Sequence, residues 1–120
     1  KKCVKNAVKV QVSSITTPEP QELYLDEFDV KYLKGKRVVL LDDVLSTGKT
    51  MQGLRTLANK SEAEVCAIAV VWLEGPWVFE KFADEIHKDQ VIFLDVFPLY
   101  AVGVTYDNLI KEEERMGLKA

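Results

Sequence analysis

An α/β fold built on a parallel sheet is predicted by the order in which two hydrophobic patterns alternate along this chain. Two continuous aliphatic runs, Val38–Leu41 and Val65–Leu73, are typical of strands that are buried on both faces. Between them, over 49–59, apolar residues recur at intervals of three and four, which is the period of an amphipathic helix. Strand, helix and strand in this order predict a βαβ unit within an α/β sheet.

The segment before this unit has the pattern of a hairpin. Over Val8–Val12 valines alternate with polar residues, as they do in a half-buried strand, and 22–26 repeats the alternation. The residues between them, 14–20, are rich in threonine and proline and cannot pair along their length. Two strands joined by a polar, mobile tip are therefore expected.

Shorter elements complete the predicted fold. We expect Asp29 to cap a helical turn at Val30–Leu33 and Gly35 to end that turn. Residues Trp77–Ile86 fit a short amphipathic helix, Val91–Val96 fits a third buried strand, and about Thr105–Met116 fits a charged surface helix in the tail.

Composition sets limits on the class of protein. The chain has 120 residues, of which 48% are hydrophobic and 29% charged, as in one ordinary globular domain. A net charge of −3 argues against a general nucleic-acid binder. The two cysteines form no disulfide framework, and the longest apolar-rich run is too short to cross a bilayer. We therefore expect a cytoplasmic protein without a nucleic-acid or membrane partner.

The most informative stretch begins where the first aliphatic run ends. Asp42 and Asp43 follow that run directly, at the strand end where parallel sheets bind ligands. A hydroxyl-rich turn around Gly48 then enters the predicted helix, whose free N–H groups and dipole favour an anion. Each piece alone is more often a solvated strand end or a simple helix cap. Together they predict a site for a sugar phosphate.

The segment Val38–Thr50 resembles the 5-phosphoribosyl-1-pyrophosphate (PRPP) motif of type I phosphoribosyltransferases, and a weaker likeness covers 8–100. The resemblance implies a Rossmann-like parallel-sheet core with a flexible hairpin loop. It also implies that 1–120 is one partial domain whose N-terminal part is missing. Within it we expect a hairpin and flexible loop at 1–26, a PRPP-binding core at 36–100 and a C-terminal tail at 101–120.

The resemblance also implies roles for individual residues. Asp42 and Asp43 would be catalytic, holding the ribose hydroxyls and stabilising positive charge at the anomeric carbon. The PRPP site as a whole would comprise Asp42, Asp43, Val44, Leu45, Ser46, Thr47, Gly48, Lys49 and Thr50. Mg²⁺ would be held mainly by substrate oxygens, with Asp42 and Asp43 as its candidate protein contacts.

Four further assignments depend on weaker likeness. Lys1 and Lys2 fall where adenine-type members often have a basic pair near the pyrophosphate, although a solvated, basic first strand is the commoner explanation of such lysines. Trp77 and Phe97 are candidates for stacking on the base, and packing in the core is the commoner role of such residues. The side chain of Lys49 either adds charge to the phosphate site or faces solvent.

By this resemblance the chain is expected to act in purine salvage as a phosphoribosyltransferase. It would transfer the phosphoribosyl group from PRPP to a purine base, adenine first and then hypoxanthine or guanine, releasing pyrophosphate. A homodimer is usual in the family. The 120 residues alone are expected to have little transferase activity unless another chain supplies the missing part.

Two alternatives remain open at this stage. A PRPP-sensing transcription regulator would keep the same motif without catalysis. A P-loop nucleotide-binding protein would explain Gly48-Lys49-Thr50, but the first glycine of that motif would have to stand at Asp43, where a carboxylate would repel the phosphates.

Overall fold

The computed structural model describes residues 6–13, 19–75, 78–79, 84, 86–97, 111 and 114. The described residues fall into two compact units. The first unit takes its residues from 1–40 and 49–68, and the second from 41–48 and 69–120. The predicted division into hairpin, core and tail is a different partition, and it stays a prediction.

The hairpin predicted from the N-terminal alternation is present in the first unit. Strands β1 (Val8–Val12) and β2 (Gln21–Leu25) pair antiparallel, with Val10 opposite Leu23. Its two strands are joined by 13–20, of which 14–18 lie outside the described residues.

Helix α1 (Glu27–Leu33) begins three residues earlier than predicted, and its cap is Asp26 rather than Asp29. The Asp26 carboxylate accepts the backbone N–H of Asp29 at 2.9 Å, so Asp29 is the residue that is capped. Asp26 and Asp29 are both suitable as N-cap residues. With Asp26 as the cap, Glu27 and Asp29 both lie in the first turn of the helix, where the dipole favours negative charge.

Helix α2 (Lys49–Lys60) occupies the predicted range and packs against the hairpin. Its buried residues include Met51, Leu57 and Ala58, which confirms the predicted apolar face. Gly53 is also buried on α2, where the helix backbone lies directly against Val12 and Leu23 of the hairpin. No helix among the described residues is long and apolar enough to cross a membrane.

A parallel sheet of three strands confirms the predicted fold class, in the order β3-β4-β5. The strands are β3 (Arg37–Leu45), β4 (Glu64–Glu74) and β5 (Val91–Phe97), with a single 3₁₀ turn at Lys88–Gln90 before β5. Adjacent β3 and β4 are joined through α2, as the βαβ prediction requires.

The prediction that the aliphatic strands are buried on both faces is wrong for β3 and β5. In the second unit Leu41 is 75% exposed and Leu94 of β5 is 80% exposed, while Val91 is buried. Successive side chains of a strand point to opposite faces, so each of these strands has one covered and one uncovered side within the described residues. An unbroken aliphatic run therefore identified the strands but not their surroundings.

Two predicted helices fall largely beyond the described parts of the chain. Of Trp77–Ile86, residues Val78 and Phe79 are helical and buried and Ile86 is buried, whereas Trp77 lies outside the described residues. Of the predicted tail helix, only 111 and 114 are described, and both are helical.

Candidate functional site

The two acidic residues of the motif lie inside β3, not after it. The strand was expected to end at Leu41, but it continues through both acids to Leu45. Each carboxylate accepts the backbone N–H of the next residue: Asp43 N donates to Asp42 Oδ1 at 2.9 Å and Val44 N donates to Asp43 Oδ1 at 2.8 Å. Local carboxylate–amide bonds of this kind usually compete with a strand, yet β3 continues through both residues into β-branched Val44.

The two carboxylates have different surroundings although they are adjacent. Asp42 is half-buried and Asp43 is exposed. Burial raises the pKa of the Asp42 carboxyl above its ordinary value, and the Asp43 carboxylate raises it further, against the hydrogen bond from the Asp43 amide. A carboxylate has about four acceptor positions, so each acid retains capacity for a hydroxyl or a cation. The pair therefore favours a ligand that brings hydrogen-bond donors or positive charge.

The residues after β3 form a short turn that leads into α2. Ser46 and Thr47 are half-buried, and Gly48 is buried with a φ of 80°, a conformation that glycine adopts without steric cost. Residues 46–48 belong to the second unit, whereas Lys49 and exposed Thr50 begin α2 in the first. The predicted phosphate-binding residues are thus consecutive along a strand end, a turn and a helix start.

Charge in the first turn of α2 is the reverse of the usual pattern. Acidic side chains stabilise a helix N-terminus by about 0.3–1 kcal/mol each, and cations there are unfavourable by a similar amount. The first turn of α2 has no acidic residue and begins with Lys49. The positive end of the helix dipole is therefore uncompensated by carboxylates of its own first turn.

One contact of Lys49 was missed by the sequence analysis. Lys49 Nζ donates to Ser13 Oγ at 3.2 Å, across 36 positions of the sequence, and both residues belong to the first unit. Ser13 follows β1 directly, so the hydrogen bond joins the end of that hairpin strand to the start of α2. No periodicity predicts a pairing so distant in sequence.

The remaining predicted residues are placed only in part. Lys1, Lys2 and Trp77 lie outside the described residues, and Phe97 is the last residue of β5. Within the part of the chain that the structure describes, no three acidic, cysteine or histidine residues cluster into a site that would hold a metal ion through protein ligands alone. The Asp42–Asp43 pair is the donor set that fits Mg²⁺, an ion that takes few protein ligands and completes its shell with substrate and water oxygens.

Acids near the carboxyl end of a parallel strand, followed by a turn and a helix N-terminus, are typical of α/β proteins that bind phosphorylated ligands. Comparison with known proteins gives the family. The model of the phosphoribosyl transferase domain matches residues 3–106, so this chain belongs to the phosphoribosyl transferase domain family. The predicted family resemblance is thereby confirmed.

Individual relatives agree with this assignment. An HGPRTase-like protein of Halomicrobium mukohataei is 34% identical over 90 residues, which are 73% of this chain and 44% of that protein. An adenine phosphoribosyltransferase of Mycobacterium avium is 32% identical over 69 residues, 47% of this chain and 38% of that protein. The chain thus spans less than half the length of these curated relatives.

A solved structure has the same fold. The crystal structure of adenine phosphoribosyltransferase from Thermoanaerobacter pseudethanolicus matches with a TM-score of 0.57 at 21% identity, over 76% of this chain and 49% of that one. The geometry does not favour the P-loop alternative, because β3 runs through Asp43 to Leu45, where a P-loop would already have left its strand.

Proposed function

We propose that this chain carries the PRPP-binding part of a purine phosphoribosyltransferase. The observation that carries the proposal is the order of groups along 42–50: two carboxylates in β3, a turn closed by Gly48, and a helix start without acidic side chains. A phosphorylated ribose combines vicinal hydroxyls with a terminal phosphate, and it needs these two kinds of surface side by side.

In the proposed site each group has a physical task. Asp42 and Asp43 accept hydrogen bonds from the ribose 2′- and 3′-hydroxyls, which add donors to the one amide that the half-buried Asp42 carboxylate already accepts from. The 5′-phosphate binds the backbone N–H groups of 46–50, with the helix dipole and Lys49 contributing positive potential. These contacts would hold the ribose by its hydroxyls and its 5′-phosphate and leave the anomeric carbon free to react.

The proposed reaction is displacement of pyrophosphate from the anomeric carbon by a nitrogen of the base. The bond from the anomeric carbon to the pyrophosphate oxygen breaks, and a bond to the base nitrogen forms. Positive charge that develops on the sugar ring is stabilised by the two carboxylates. Mg²⁺, when bound, would neutralise charge on the leaving pyrophosphate, with the acid pair as its candidate protein contact.

We further propose adenine as the first acceptor base, with hypoxanthine and guanine next. Support comes from the named relatives, which include adenine phosphoribosyltransferases and an HGPRTase-like protein. A cytoplasmic homodimer acting in purine salvage is part of the same proposal.

Calorimetric titration of the chain with PRPP and Mg²⁺ tests the proposed site. We expect saturable binding that the Asp42→Asn/Asp43→Asn double substitution weakens at least tenfold, since each acid contributes a charge-assisted hydrogen bond of about 1.5–3 kcal/mol. Asp89→Asn is the matched control, because Asp89 precedes β5 and lies near the opposite edge of the parallel sheet. Equal binding by the double variant and by the unchanged chain would refute the proposed roles.

The reaction itself is tested with the complete protein that contains these 120 residues. We expect pyrophosphate release that requires a base, fastest with adenine in a panel of purines and pyrimidines. PRPP binding without release of pyrophosphate for any base would contradict an enzymatic role and leave a PRPP-sensing role instead.

A further inference from the structure

Lys49 stands where a lysine is electrostatically unfavourable, and it is held there by a distant residue. It is the first residue of α2, at the positive end of the helix dipole. Its ammonium donates to the hydroxyl of Ser13 at 3.2 Å. The side chain therefore does not extend freely into solvent, which was one of its two predicted roles.

The position of Ser13 is determined by the packing of β1 along α2. Near the middle of α2, Gly53 brings the helix backbone against Val12 and Leu23. At the far end of the helix, Lys60 Nζ donates to the backbone carbonyl of Lys9 at 3.4 Å. Strand β1 is thus contacted by α2 near both of its ends, at Lys9 and at Val12, so the Ser13 hydroxyl has a defined place beside the start of α2.

We propose that Ser13 is a positioning residue for the phosphate site, acting through Lys49. An ammonium has three N–H donors, and the Ser13 contact uses one of them. The remaining donors are then available to an anion at the start of α2 without the rotamer entropy that an unrestrained lysine would lose on binding. This inference rests on the proposed function, because it takes the 5′-phosphate of PRPP as that anion.

The hairpin would thereby contribute to ligand binding through a residue outside the motif at Val38–Thr50. Ser13 would not touch the substrate, and its contribution would depend entirely on the presence of the Lys49 ammonium. Removing the hydroxyl should therefore weaken PRPP binding while leaving the stability of the fold almost unchanged, since Ser13 is exposed.

The experiment is a calorimetric titration of PRPP with Mg²⁺ into the full 120-residue chain and its variants. Loss of a charge-assisted hydrogen bond predicts affinity lowered about threefold to tenfold in Ser13→Ala and at least tenfold in Lys49→Met. Ser13→Thr keeps the hydroxyl and should stay within about twofold of the unchanged chain. Lys36→Met removes an exposed lysine whose ammonium lies over the Tyr32 ring, and it serves as the charge-matched control. Melting temperatures are measured in parallel.

A double-mutant cycle gives the decisive readout. In the Lys49→Met background, Ser13→Ala should cause no further loss of affinity, because no ammonium is left to position. The inference is overturned if Ser13→Ala binds PRPP as tightly as the unchanged chain, if Ser13→Thr is as weak as Ser13→Ala, or if the loss persists without Lys49. A different result, no PRPP binding by the unchanged chain, would count against the proposed function itself.

Discussion

Gly53→Ala is the substitution whose effect can be worked out most directly from the structure. Gly53 is buried on α2, facing the hairpin. An added β-carbon would overlap the Cγ2 methyl of Val12 and would lie 3.3 Å from Leu23 Cδ1. Val12 is only 5% exposed, and its β-branched side chain has little rotamer freedom, so it cannot move aside without moving β1.

Two opposing terms set the size of the effect. Alanine is about 1 kcal/mol better than glycine in a helix interior, which would stabilise the protein. Overpacking by an added carbon typically costs about 1–3 kcal/mol, and the overlap with immobile Val12 favours the upper part of that range. The free energy of unfolding should therefore fall by about 1–2 kcal/mol, which lowers the melting temperature by roughly 4–8 °C.

Thermal and urea unfolding of four variants isolates the steric term: Gly53→Ala, Val12→Ala, the two combined, and Asn59→Ala as a control. Asn59→Ala changes an exposed position of α2 and should be neutral or slightly stabilising. Combining Gly53→Ala with Val12→Ala removes the obstructing methyls, so the double variant should lose less stability than the sum of the single variants. Gly53→Ala as stable as the unchanged chain, with no coupling to Val12, would refute the proposed packing of β1 on α2.

Two further changes should stabilise the protein. Because its pKa is raised in the fold, Asp42 contributes stability that is fully present below about pH 4 and is lost as pH rises through the raised pKa. The Asp42→Asn variant should therefore melt at a higher temperature than the unchanged chain at pH 7, and the difference should vanish at low pH. An equal difference in melting temperature at both pH values would contradict this cause. Glu62 has a φ of 55°, a left-handed conformation that costs a non-glycine residue about 1 kcal/mol. Glu62→Gly should accordingly raise the free energy of unfolding by a few tenths of a kcal/mol to about 1 kcal/mol, even after loss of the exposed ion pair to Lys34, which is worth about 0–1 kcal/mol. Glu62→Gln removes only the ion pair, and a gain equal to that of Glu62→Gly would disprove the backbone explanation.

Local patterns predicted the elements of this fold well. The alternation of valines gave the limits of β1, and the three- and four-residue spacing gave α2 to within one residue of its end. Both patterns arise from a single face that must be buried, and a periodic face is visible in sequence alone. The parallel sheet followed from the order of these elements.

The strand ends and the burial of the sheet were harder to predict. β3 passes through two aspartates whose carboxylates bond to the amides of the following residues, although aspartate is depleted in strands and such local bonds are typical of turns. The exposure of Leu41 and Leu94 depends on what lies over the sheet, which a strand's own sequence does not encode. Similarly, the Ser13–Lys49 hydrogen bond depends on how β1 lies along α2.

The features that disagree with local stability rules coincide with the proposed site. Asp42 is half-buried beside another carboxylate, which raises its pKa, and Lys49 places a cation at the positive end of a helix dipole. In a protein selected for stability alone, an amide at the first position and an acid at the second would be better choices. In the proposed function, hydroxyls of the ligand would supply donors to the acid, and its phosphate would supply negative charge to the lysine. Each unfavourable placement would then be explained by the proposed ligand, and PRPP should raise the melting temperature of the chain.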